Sequence, residues 1–209
     1  MPFRSKKTLS YLPFSAELSN FYKNIVSAKK SASRFIFFNA FHDSLTGLAN
    51  RLLLFDRMEN AIKKSKRTGK KVVVLFLDLD GFISVNDNLG HLAGDRLLQQ
   101  VAQRIKSSIR EVDTASRLGG DEFIVMLDGI KEVNGAVKVA KKILKVVSVP
   151  YFIESHKYEI TASLGLAVYP EHGLDTESLI KNSDSAMHEV KKEGGNNYAV
   201  FVPFRHYWP

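Results

Sequence analysis

Lys71-Val72-Val73-Val74-Leu75-Phe76-Leu77-Asp78-Leu79-Asp80 is the stretch that decides the fold. Its β-branched start and unbroken apolar run lack the polar alternation of a half-exposed strand. The run reads as a strand buried on both faces. Such a strand needs a covering layer on each side, and the sequence around it supplies amphipathic helices. After Asn50, residues Leu54, Phe55, Met58, Ala61 and Ile62 fall on one helical face, with Gly69 as a stop. A second helix carries Leu97, Leu98, Val101, Ala102, Ile105 and Ile109, and Ala136 to Val147 gives a third. Ser116 to Leu127 reads as two strands around a Gly119-Gly120 turn. Tyr158 to Val168 is strand-like, Asp175 can N-cap a last helix bearing Leu179, Ile180, Met187 and Val190, and Tyr198 to Val202 is a short final strand. The expected class is α/β (α+β), with a mixed central sheet of about five strands flanked by helices.

Composition sets bounds on this reading. The chain of 209 residues is long enough for one ordinary domain plus an appended segment. The absence of cysteine excludes disulfides and thiolate metal sites. No apolar run approaches the roughly 20 residues of a membrane helix, and the N-terminus lacks a signal-peptide core, so a soluble cytoplasmic protein is expected. The net charge of +8 is uneven. Residues 1–34 hold seven basic residues and one acid, Glu17, which leaves +2 for the rest. A contact with an anionic membrane would therefore come through residues 1–40, and the main domain is not expected to bind nucleic acid. Residues 1–40 read as a basic, aromatic leading helix or tail, with Phe35 to Phe41 as its last turns; 41–202 is the main domain and 203–209 a tail.

Two acidic clusters stand where strands end. Asp78 and Asp80 close the apolar strand, and Asp121 and Glu122 follow the Gly119-Gly120 turn. If the two strands are neighbours, Asp78 and Asp121 meet at one edge of the sheet. A carboxylate beside a buried strand is costly unless a cation compensates it. Hard oxygens without histidine or thiolate suit magnesium, and the glycine pair leaves backbone room for a bulky ligand. The bland alternative is an exposed hairpin tip with solvated acids.

Arg117-Leu118-Gly119-Gly120-Asp121-Glu122-Phe123 resembles the signature of the GGDEF family, the diguanylate cyclases. Four more blocks follow the family in order: His42-Asp43-Ser44-Leu45-Thr46-Gly47-Leu48-Ala49-Asn50-Arg51; Asp78-Leu79-Asp80-Gly81-Phe82 with Asn86-Asp87, Gly90-His91 and Gly94-Asp95; Ser163-Leu164-Gly165-Leu166-Ala167; and Ser183-Asp184-Ser185-Ala186-Met187 with Lys191.

The resemblance implies a nucleotide-cyclase (ferredoxin-like) palm that joins two GTP into cyclic di-GMP across a homodimer of domains. It implies that Asp78, Asp121 and the backbone carbonyl of Leu79 hold two magnesium ions, or manganese, with Glu122 near the attacking hydroxyl. Asn86 and Asp95 would read guanine, Phe82, Gly119 and Gly120 would line the substrate site, and Lys191 would neutralise phosphate. For Asp95 the plain alternative is an N-cap of the helix it opens. Arg110-Glu111-Val112-Asp113, with Asp113 six positions before Gly119, resembles the family's RxxD inhibitory site for cyclic di-GMP, and Lys142 would add charge there. A surface Arg–Asp pair is the bland reading.

Three departures bear on activity: Ile83 and Gly195 stand where the family usually carries basic residues, and His188 replaces a common tyrosine. They keep open a weakly active or inactive domain that binds GTP or cyclic di-GMP and regulates a partner. A GTPase is excluded by the lack of a Gly-Lys-Ser/Thr phosphate loop. A purine cyclase would share the metal chemistry but not the signature. With the chain ending at Pro209, no phosphodiesterase domain of the EAL type is expected after it.

Overall fold

The structure is a computed structural model and describes residues 38–153 and 156–203. The leading segment's expected helix or tail lies outside these residues except for 38–41, which are helical, and most of the 203–209 tail lies outside them as well.

From residue 41 onward the chain forms one compact unit. Its elements are α1 (Arg51–Thr68), β1 (Lys71–Asp80), α2 (Phe82–Leu89), α3 (His91–Ser108), β2 (Thr114–Gly119), β3 (Glu122–Ile130), α4 (Val133–Val147), β4 (Tyr151–Ile153), β5 (His156–Tyr158), β6 (Thr161–Tyr169), α5 (Thr176–Lys192) and β7 (Tyr198–Val200). Five strands form one sheet in the order β2-β3-β1-β6-β7. All pairs are antiparallel except β6–β7, which is parallel because α5 carries the chain back between them. The sheet is mixed, as expected.

β1 occupies the centre, and Val72 to Leu79 are buried. Strand alternation sends Val73, Leu75, Leu77 and Leu79 into a core shared with Leu97, Leu98, Val101 and Ile105 of α3 and with Ala136, Ala140 and Ile143 of α4. Val72, Val74 and Phe76 go to the other face, among Leu54, Met58 and Ile62 of α1 and Leu179 and Met187 of α5. A helical layer on each face is why the strand can be apolar throughout.

The helix ends follow their local chemistry. The Asn50 side chain accepts from Leu53 N at 3.1 Å and caps α1, which Gly69 closes at φ 68°. Asp175 caps α5 in a reciprocal capping box with Ser178. Two features are less visible in sequence. The short helix α2 lies directly after β1, and the expected strand at Tyr158 divides into a small β4–β5 hairpin and β6, which begins at Thr161.

Gly165 is where β6 and α5 approach most closely. A Cβ there would land on the backbone of Ser183, Ala186 and Met187. Gly165→Ala is therefore expected to destabilise the domain by roughly 1–3 kcal/mol or more, because backbone cannot give way as a flexible side chain can. Urea unfolding would measure the loss.

Candidate functional site

The antiparallel register of β1 and β3 sets Asp78 directly opposite Glu122. The Gly119–Gly120 turn before β3 is a tight left-handed one (φ 153° and 51°), so Asp121 arrives beside them. The pairing of β1 with β3 ends at Asp78, while its pairing with β6 continues to Asp80. The crevice thus opens where β1 outruns β3.

Asp78 is buried, and Lys191 Nζ, from the last turn of α5, stands 2.5 Å from its Oδ1. That ammonium is the only charged partner of the buried Oδ1 among the described residues. Burial pushes the Asp78 carboxyl above its ordinary value; Lys191 pulls it down, while Asp121 and Asp80 push it further up. Glu122 is likewise raised, by partial desolvation and then by the charges of Asp78, Asp184 and Asp121, with Lys191 opposing. A group of carboxylates that resist ionisation together and share one ammonium has a standing demand for positive charge.

Asp80 behaves differently. It accepts Thr161 Oγ1 at 2.6 Å, Ser163 Oγ at 2.7 Å and the backbone N–H of Asn196 at 3.0 Å. Those bonds make it a clamp that ties the ends of β1 and β6 to the loop after α5. Gly195 lies in that loop at φ 75°, and a Cβ there would sit 3.1 Å from the Asp80 carboxylate.

Arg117 fixes the turn. Its Nε and Nη2 donate to the Gly120 carbonyl at 2.9 and 2.8 Å, and its Nη1 reaches Asp43 Oδ1 at 3.2 Å. Asp43 in turn accepts the Thr46 backbone N–H and hydroxyl at 2.9 and 2.5 Å. Burial alone would raise the Asp43 carboxyl, but the bonds from Thr46 and Arg117 outweigh it and leave it below its ordinary 3.8. Sequence reading quoted Asp43 and Arg117 as motif letters without a role. Their spacing of 74 residues holds no signal of a contact. Asp184, whose charge reaches Glu122, was missed in the same way.

The residues expected to read a base lie beyond the end of β1. Asn86 on α2 packs its side chain against Gly94 of α3, which precedes Asp95. Asp95 is exposed and is the fifth residue of α3; the N-cap is Gly90, so the capping alternative for Asp95 does not hold. Phe82 is buried at the start of α2 and backs Gly94. Ile83, next to it, is 72% exposed.

The sequence matches the family described as diguanylate cyclase, GGDEF domain, over residues 40–197. The chain belongs to the GGDEF family. It is 46% identical over 162 residues to the bifunctional diguanylate cyclase/cyclic di-GMP phosphodiesterase MucR of Pseudomonas aeruginosa. The match covers 78% of this chain and 24% of that protein, so this chain spans about a quarter of MucR. The solved GGDEF domain of TpbB (YfiN) from Pseudomonas aeruginosa superposes with a TM-score of 0.75 at 34% identity, covering 77% of this chain and 94% of the other. The GGDEF domain of DgcB from Caulobacter crescentus, solved in complex with c-di-GMP, gives 0.71 at 28% identity, covering 77% and 95%.

In this GGDEF domain Arg110 and Asp113 close on each other. Arg110 Nε and Nη2 reach the two oxygens of Asp113 at 2.9 and 2.7 Å, and Nη2 also donates to the Asp128 carbonyl at 2.9 Å. The Asp113 side chain is 1% exposed and further accepts the backbone N–H groups of Arg110 and Asp128. Lys142 Nζ donates to the Ser108 carbonyl at 3.0 Å, at the end of α3 just before Arg110. Beside them a cavity of about 390 Å³ is lined by Arg57, Lys106, Arg110, Glu111 and Asp113 among others.

Arg117→Ala would leave the largely buried Asp43 carboxylate short of a partner and free the turn. The expected loss is about 2–4 kcal/mol, and Arg117→Lys should not restore it, because an ammonium cannot span both partners as the fork does. The depressed Asp43 carboxyl contributes stability that is present above its unfolded value of 3.8 and lost as pH falls through its lower folded value. Asp43→Asn should therefore be less stable than the parent near pH 7, with a shallower fall in stability on acidification below about pH 4. Denaturant titrations across pH would show both.

Proposed function

We propose that this domain condenses two GTP into cyclic di-GMP and two pyrophosphates, with one GTP on each of two facing copies. The observation that carries the reading is the meeting of Asp78, Glu122 and Lys191 at one end of the β1–β3 pair, beside Asp121. Membership of the family supports it.

Among the described residues no group of three His, Asp or Glu is placed to hold a metal ion. Magnesium takes few protein oxygens and fills its shell with phosphate and water. The buried Asp78 oxygen, faced by a single ammonium, is a fitting donor. Asp78, Asp121 and the Leu79 carbonyl would hold two magnesium ions, with manganese as a substitute. When bound, the ions would stabilise the attacking 3′-oxygen and the leaving pyrophosphate oxygen. Lys191 neutralises Asp78 in the free domain and turns to the triphosphate when metal takes its place. Glu122, its carboxyl raised by partial burial and then by its acidic neighbours, stands ready to accept the 3′-hydroxyl proton. Asn86 and Asp95 accept from the N1–H and N2–H donors of guanine, a paired set that adenine lacks. The Gly119–Gly120 backbone gives the phosphates room, and Arg117 keeps that turn in place.

Cyclic di-GMP at Arg110 and Asp113, with Lys142 beside them, supplies product inhibition in this reading. The closed Arg110–Asp113 pair must open first, so the arginine fork exchanges a carboxylate for guanine or phosphate.

Anion-exchange analysis of products from GTP, magnesium and concentrated protein tests the assignment, with Glu122→Gln alongside. Cyclic di-GMP from the parent and a fall of at least a hundredfold in the variant are expected. GTP binding without product, at a concentration that gives dimer, would instead assign a nucleotide-responsive regulatory module. Ile83→Lys restores a cation on the phosphate path and should lower the apparent KM for GTP by roughly tenfold, since one charge-assisted contact is worth about 1.5 kcal/mol.

A further inference from the structure

We propose that the outer face of α3 and α4 docks the domain on an anionic lipid surface. Lys138, Lys141, Lys142 and Lys145 recur at helical spacing on α4, all four are exposed, and the helix contains no acid. None of the four is in an ion pair among the described residues; Lys142 donates to a main-chain carbonyl and Lys141 lies 5.7 Å from the Tyr198 ring.

The fold concentrates this charge. α3 packs beside α4, and Arg104 of α3 donates to the carbonyls of Val146 and Pro150 at 3.0 and 2.8 Å, binding the end of α4 to its neighbour. The two helices together hold seven basic residues and one acid, Asp95. The remainder of residues 35–209 holds sixteen basic and twenty acidic residues. The α3–α4 layer therefore carries +6 against +4 on α1 and α5 together, and α4 alone carries +4 with no acid to offset it.

Apolar side chains sit at the end of the basic helix. Val149 is 49% and Phe152 69% exposed, and Phe152 borders the outer residues Arg96, Gln99 and Gln103 of α3. Lysines that reach headgroups, beside an aromatic ring that can enter the acyl boundary, match a membrane surface. A nucleic-acid face would instead interleave its cations with several stacking aromatics. Asp78 and Lys191 lie on the opposite side of the sheet, with α1 and α5, so docking leaves that carboxylate cluster uncovered.

Sedimentation of the full chain with vesicles tests this. Vesicles of phosphatidylcholine and phosphatidylglycerol, two to one, are expected to carry the protein down at low salt, and pure phosphatidylcholine vesicles are not. Replacing Lys138, Lys141 and Lys145 together by Gln should lower partitioning roughly a hundredfold. Replacing Lys63, Lys66 and Lys181 by Gln removes the same charge from other faces and should change it no more than about threefold. Phe152→Ser should weaken binding several-fold, with the salt dependence kept. Equal partitioning of the two triple variants would overturn the proposal, because net charge or the basic leading segment would then drive binding. So would tighter binding to single-stranded RNA than to the vesicles, lost in the α4 variant.

Discussion

Carboxylates at the end of a strand buried on both faces are the constraint around which this domain is arranged. β1 has no exposed face along Val72 to Leu79, so Asp78 loses water on the same terms as its apolar neighbours. The register then places a second acid, Glu122, opposite it, and the glycine turn adds Asp121. No arrangement of these groups is comfortable without a cation. Lys191 meets part of the demand, and it comes from the far end of α5, so the helix that covers one face of the sheet also sets the charge balance of the crevice. Acids crowded together with a single ammonium keep a demand for further positive charge at that end of the sheet.

Such a site needs a rigid frame, and the frame is polar. Arg117 ties the Gly120 carbonyl to Asp43, and Asp43 ties both to the Thr46 turn. Asp80, one pleat beyond Asp78, spends its oxygens on Thr161, Ser163 and the Asn196 backbone. Two aspartates on the same strand face thus have opposite roles. Asp80, with its hydrogen bonds satisfied, holds the scaffold, whereas Asp78 rests on the single ammonium of Lys191.

Much of this was legible in the sequence, for identifiable reasons. The β1 run announced a strand with helices on both sides because local pattern and tertiary burial agree there. The meeting of the two acidic clusters followed from strand adjacency, though the register sets Glu122, not Asp121, directly opposite Asp78. α2 escaped because Phe82 to Leu89 is only two turns long and sits between glycines, too short for a period to show. Phe82, buried at the start of α2, also backs Gly94, a packing contact that no local pattern encodes. The Asp43–Arg117 bond and the clamp at Asp80 are long-range, and nothing in residue type or spacing encodes a partner 74 or 81 positions away.

Charge shows the same division between local and tertiary information. Summed along the chain, the domain is close to neutral, and the sequence directs attention to the basic leading segment. Folding brings Asp78, Glu122 and Asp121 to one end of the β1–β3 pair and leaves the α4 lysines exposed on the layer across the sheet. The two effects are linked by topology. Acids that follow β-strands project at the sheet end, whereas α4 has an apolar stripe for the sheet, and its lysines are left for the opposite side. The placement of both groups is therefore a consequence of the same layered packing that buries β1.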